Sequence, residues 1–98
     1  MTAPPEWNLE RRVALLSVVR SVLIEDLRLD MEPEQIDPDV SLYGTGLGLD
    51  SVDAIDLAVG VEKRTGKRIP EGERGHVVLR SVNALVDWLM SEEPHLAA

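Results

Sequence analysis

Residues 46–57 read GLGLDSVDAIDL, and the pair Asp50-Ser51 stands where a glycine-bearing loop runs into a helical pattern. A serine hydroxyl at such a junction can carry a group, attack one, or merely help to start a helix. As a plain helix start the pair is sufficient: Asp50 is a good N-cap, and Asp53, three residues on, makes a weak capping box. As a point of attachment Ser51 is also well placed. A phosphate ester in the first helical turn would face the positive end of the helix dipole, which favours an anion there. As a nucleophile Ser51 lacks a base. The only histidines are His76, near a later short helix, and His95, in the C-terminal tail. No glycine pair brackets the serine as a nucleophile elbow requires. No catalytic residue is assigned.

Metal chemistry finds no constellation. Asp37-x-Asp39-x-Ser41 opens like a calcium loop, but Leu42 stands at its sixth position and Gly48 at its twelfth. That loop needs Gly and Glu there. The absence of cysteine excludes disulfides and thiolate ligands.

The elements that must position Ser51 are read from periodicity and punctuation. Residues 1–7 read as a short tail, Asn8 as an N-cap, and residues 9–29 as a long first helix with Val13, Leu16, Val19 or Arg20, Leu23 and Leu27 at helical spacing. Pro33, Pro38, Gly44, Gly46 and Gly48 then break the pattern over residues 30–50. A loop that long in a small domain is usually functional or disordered. Here Ile36, Val40, Leu42, Leu47 and Leu49 can pin it as an ordered crossover. The second helix starts at Asp50-Ser51 and runs to about Thr65, with Gly66 as its C′ residue. One short helix fits near residues 74–79. The last opens at Ser81, with Val82, Leu85, Val86 and Leu89 in one stripe and Trp88 in or beside the core. The expected fold is all-α: a small four-helix bundle, three main helices and one short one, with a long ordered loop between the first two. It forms a single domain over residues 1–98, with its core at about 9–91 and tails at 1–8 and 92–98.

The second helix carries two apolar stripes. At about 100° per residue, Ala54, Leu57, Ala58 and Val61 share one sector, and Val52, Ile55 and Val59 share another, roughly opposite. The first can pack on the core. The second, flanked by Asp56 and Glu62, then forms an apolar patch with an acidic rim, as interaction surfaces are built. A helix buried on both sides would show the same periodicity.

Composition bounds the partners. The chain has 98 residues and a formal net charge of −8, which argues against nucleic acid. Between Glu25 and Glu62 eleven acidic residues face one basic residue, Arg28, whereas Lys63 to Arg80 holds six basic and two acidic ones. The acidic half should draw basic protein surfaces. No apolar run approaches a membrane span, and residues 1–12 lack the features of a signal peptide. A cytoplasmic protein that contacts no membrane is expected.

The stretch LGLDSVDAIDLAVGVEKRTGKRIP, residues 47–70, resembles the prosthetic-group segment of acyl carrier proteins. The order of helix, long loop, Asp-Ser-hydrophobic, acidic second helix, Gly turn and Ile-Pro is shared over roughly residues 10–89. The resemblance implies that Ser51 receives 4′-phosphopantetheine from coenzyme A, with Asp50, Ser51 and Val52 matching the attachment motif. It places Asp53, Asp56, Val59 and Glu62 where family members meet their enzymes, and Val52 and Ile55 of the outer stripe join that face. The implied partners are a phosphopantetheinyl transferase and acyl-loading, condensing and tailoring enzymes with basic docking surfaces, around a monomeric carrier. The cargo would be acyl intermediates held as thioesters, in fatty-acid-like or polyketide-like biosynthesis. A peptidyl or aminoacyl carrier, and a helical interaction adaptor in which Asp50-Ser51 is only a cap, are the alternatives.

Departures point to a specialised carrier. The loop is one residue longer than the commonest family form, Leu42 stands where Phe is frequent, and Lys63 and Arg64 replace residues that are usually acidic. Gly60, mid-helix, costs about 1 kcal/mol relative to Ala. It is either tolerated or leaves room near the core for an acyl chain.

Overall fold

The computed structural model describes the backbone of residues 5–92. The N-terminal residues 1–4 and the tail 93–98, with His95, lie outside the described residues. Four α-helices follow one another: α1 (Pro5–Ser21), α2 (Ser51–Thr65), α3 (Gly72–Val78) and α4 (Val82–Ser91). No strand occurs among the described residues, and the four-helix all-α architecture is as expected. Two isolated bridges, Ser41 with Ser81 and Tyr43 with Leu49, are the only β-type pairings among them.

Asn8 is not an N-cap, because α1 already begins at Pro5. Proline is tolerated in a first turn, where its missing N–H would bond nothing. The helix then widens into a π turn, Val22–Asp26, closed by Leu27 N–H donating to the Val22 carbonyl at 3.2 Å. Arg28 ends it in a left-handed conformation, φ 60°, while Leu29 N–H reaches back to the Leu23 carbonyl at 3.1 Å.

The buried face of α1 differs from the expected stripe. Leu15 and Val19 are buried and Leu16 is half-buried, but Val13 is exposed. This helix bears apolar residues around most of its circumference, so spacing alone does not choose a face. The choice is made by α4, which packs along α1, and by α2, which packs against the π turn. Leu57 and Val61 of α2, Leu85 and Leu89 of α4, and Leu23 of the π turn complete the core.

The long loop is ordered. Ile36, Leu42 and Leu49 are buried, whereas Val40 stays exposed. Leu42 N–H donates to the Arg80 carbonyl at 2.8 Å, and Leu49 N–H donates back to the Leu42 carbonyl at 2.8 Å. Asn83 N–H donates to the Pro38 carbonyl at 2.9 Å, which fastens the loop to the start of α4. Arg20 of α1 adds an Nη2 hydrogen bond of 2.9 Å to the Ile36 carbonyl. Arg12 binds Asp87 at 2.6 Å and the Asn83 Oδ1 at 2.7 Å, joining α1 to α4. With its backbone groups paired in this way, the loop delivers residues 49–51 at a fixed place.

Candidate functional site

The start of α2 is set by a reciprocal cap. The Asp50 carboxylate accepts from Asp53 N–H at 2.8 Å, and the Asp53 carboxylate accepts from Asp50 N–H at 3.1 Å. Asp50 is extended, with φ −100° and ψ −174°, so Ser51 is the first helical residue. The helix runs from Ser51 to Thr65 and stops at Gly66, whose φ of 74° suits a residue without Cβ.

Within this frame Ser51 is exposed, and its hydroxyl bonds no other described group. The cap satisfies Asp53 N–H, and Ala54 N–H begins the helical ladder on the Asp50 carbonyl at 3.0 Å. The N–H groups of Ser51 and Val52 accordingly have no acceptor among the described residues. Two free donors beside an exposed hydroxyl, at the positive end of a helix, suit a phosphodiester on that hydroxyl. The arrangement suits carrying a group on that hydroxyl.

The two stripes of α2 are separated as expected. Leu57 and Val61 are fully buried, and Ala54 and Ala58 are half-buried. Val52 and Ile55 are each 63% exposed and Val59 44%. Asp56 and Glu62 are exposed on either side of that outer stripe. Asp53 is half-buried and its carboxylate is engaged in the cap. Of the acidic positions singled out on α2, Asp56 and Glu62 leave their charge unpaired among the described residues.

Lys63 and Arg64 part company in the fold. Arg64 turns back to the end of the first helix and pairs with Asp26 and Glu25. The Arg64 hydrogen bond, reinforced by its charge and that of Lys63, holds the Asp26 carboxyl below its ordinary range. Lys63 is exposed and has no ionic partner among the described residues.

Gly60 does not leave room for an acyl chain. A Cβ there would run into the Val22 side chain and the Asp26 carboxylate. The glycine lets α2 approach the π turn closely, which is a packing role.

A cleft of about 650 Å³ opens beside Ser51, between α2 and the segment leading into α3. Ser51, Ile55, Val59 and Glu62 line one wall. Arg68, Ile69, Pro70, Gly75 and His76 line the other, and Tyr43 and Leu49 lie at the loop side. At 1.5 Å per residue, the α2 wall from Ser51 to Glu62 is about 16 Å long. Sequence reasoning missed Tyr43 and gave His76 no role. Their rings are stacked, with centroids 4.5 Å apart and planes at 16°. Tyr43 is the only tyrosine, which was the one available signal.

The comparisons with known proteins agree with this geometry. A family model described as a phosphopantetheine attachment site matches residues 17–89. Acyl carrier protein 2 of Ralstonia nicotianae is 33% identical over 84 residues, which is 86% of this chain and 94% of that protein. The family match runs from the last turns of α1 through the ordered loop, α2 and α3 to Leu89 of α4. The chain belongs to the acyl carrier protein family, a carrier whose cofactor is covalently attached 4′-phosphopantetheine.

Proposed function

We propose that Ser51 is the attachment residue and that this cytoplasmic protein carries acyl intermediates for a specialised, fatty-acid-like or polyketide-like biosynthesis. The observation that carries the reading is Ser51 itself: an exposed, unpartnered hydroxyl in the first turn of α2, beside two free N–H groups and at the head of an open cleft. When bound, the prosthetic group supplies a terminal thiol that holds the cargo as a thioester on a flexible arm.

The chain's own residues supply the rest. Asp50 and Asp53 fix the first turn, in which Ser51 is exposed. The free N–H groups and the α2 dipole offset the phosphodiester charge. Val52, Ile55 and Val59 form the apolar centre of a docking face, and Asp56 and Glu62 form its acidic rim toward basic enzyme surfaces. Tethering keeps the cargo at high effective concentration near each docked enzyme. The cleft has an apolar lining in Leu49, Ala58, Val59, Ile69 and Leu79, which favours an acyl chain over a charged aminoacyl cargo.

Intact mass after incubation with a broad-specificity phosphopantetheinyl transferase and coenzyme A tests this. The parent should gain one phosphopantetheine and Ser51→Ala none, with unchanged helix content. An unmodified parent, or a modified Ser51→Ala variant, would leave the helical adaptor in its place.

A further inference from the structure

The cleft beside Ser51 is apolar on most of its surface, yet one of its walls carries a phenol. Tyr43 lines it at the Ser51 end, because its backbone pairs with Leu49, two residues before Ser51. The ring is held by its stack on His76 of α3, so it cannot swing away without breaking that contact. The backbone of Tyr43 is engaged by the Ser41 hydroxyl, its N–H donating and its carbonyl accepting, both at 3.1 Å. Its own hydroxyl bonds no described group. Partial burial raises the Tyr43 phenol above its ordinary pKa, so it stays protonated and able to donate.

The Tyr43 hydroxyl is accessible and has no partner among the described residues, so it is free to bond a ligand, and a few polar groups in an apolar pocket fix orientation and specificity. We infer that the Tyr43 hydroxyl, held in place by His76, hydrogen-bonds an oxygen substituent on the acyl chain. The carrier would then prefer hydroxy- or keto-acyl cargo to a fully saturated chain. The inference rests on the proposal that Ser51 bears the arm and that the cleft receives its cargo. It adds that this cleft distinguishes oxygenated from saturated chains through Tyr43. A site arranged to hydrogen-bond a ligand hydroxyl discriminates against the analogue that lacks it.

The test loads the full chain, by transferase, from octanoyl-coenzyme A and from β-hydroxyoctanoyl- and ω-hydroxyoctanoyl-coenzyme A. Both classes carry the same arm, and each cleavage rate is taken relative to that of the same acyl-coenzyme A free in solution, so a difference between them reports contact of the chain oxygen with the protein. The readouts are the rate of thioester cleavage by hydroxylamine and the amide chemical shifts of Tyr43 and His76. At least one hydroxyacyl form should be cleaved about fivefold more slowly than the saturated form, the effect of one neutral hydrogen bond. It should also shift both amides further. In Tyr43→Phe, which keeps the ring and its stack, that difference should vanish. Equal cleavage of all three parent forms overturns the inference, and so does a difference that survives Tyr43→Phe. Failure of Ser51 to accept any acyl-pantetheine arm instead overturns the carrier proposal itself, so the two failures are distinct.

Discussion

The Arg64 guanidinium reaches from the last turn of α2 to Asp26 at the end of the first helix, with Nη1 2.9 Å from Oδ2, and Nη2 3.2 Å from Glu25. Both carboxylates belong to the acidic half of the chain and the arginine to the basic half. The pair closes the far end of α2 against the π turn.

Acid sensitivity follows from that pair. The Arg64 hydrogen bond lowers the Asp26 pKa in the folded state. An unfolded aspartate titrates at about 3.9. A depressed folded value therefore contributes stability that is fully present above about pH 3.9 and is lost as pH falls through the folded value. Arg64→Ala should melt below the parent at neutral pH, and the gap should narrow below about pH 3.9. Melting curves of both proteins from pH 7 to pH 2.5 decide it. A gap of constant size would mean that Arg64 acts by packing alone.

Gly60→Ala should destabilise the protein although alanine is the better helix former. The gain in propensity is about 1 kcal/mol, but overpacking against a fixed neighbour costs about 1–3 kcal/mol. Val22 sits on the π turn and cannot withdraw easily, whereas the Asp26 carboxylate can rotate only by weakening its bond to Arg64. Chemical denaturation of the variant should show a lower midpoint. A higher midpoint would mean that the two helices separate freely.

Arg28→Gly should have the opposite sign. Arg28 holds φ 60°, where a Cβ is strained, and its side chain makes no ion pair among the described residues. Relief of left-handed strain is worth about 1–2 kcal/mol, from which the greater chain entropy of glycine subtracts up to about 1 kcal/mol. A small rise in melting temperature is expected. A fall would show that the arginine stem contributes packing that outweighs the backbone relief.

The two faces of α2 can be told apart by charge insertion. Ile55→Glu places a carboxylate on a side chain that is 63% exposed, so stability should change by no more than about 0.5 kcal/mol. Its modification by transferase should slow, because the apolar centre of the contact is lost. Leu57→Glu buries a carboxylate in a fully closed position and should unfold much of the domain. Thermal unfolding is measured beside the rate of pantetheinylation. An Ile55→Glu variant modified at the parental rate would place the docking face elsewhere.

Local signals were legible in the sequence. Asp50 and Asp53 lie three residues apart, Gly66 ends the helical run, and Ser81 precedes the clean stripe of α4, where its hydroxyl accepts from Ala84 N–H at 3.0 Å. Each signal spans less than two helical turns, so the bonds it specifies form wherever that segment becomes helical. The separation of the α2 stripes was legible for the same reason, since periodicity alone sets which side chains share a face. What tertiary structure decided lies between distant positions. Arg64 and Asp26 are 38 residues apart in the chain. Tyr43 meets His76, and Gly60 meets Val22, only because the loop and the π turn bring them together. The buried face of α1 was open in the same way: with apolar residues on most sides, Leu15 rather than Val13 went inside because α4 covers that side. Such pairings depend on the relative placement of whole helices, which no short window of sequence encodes.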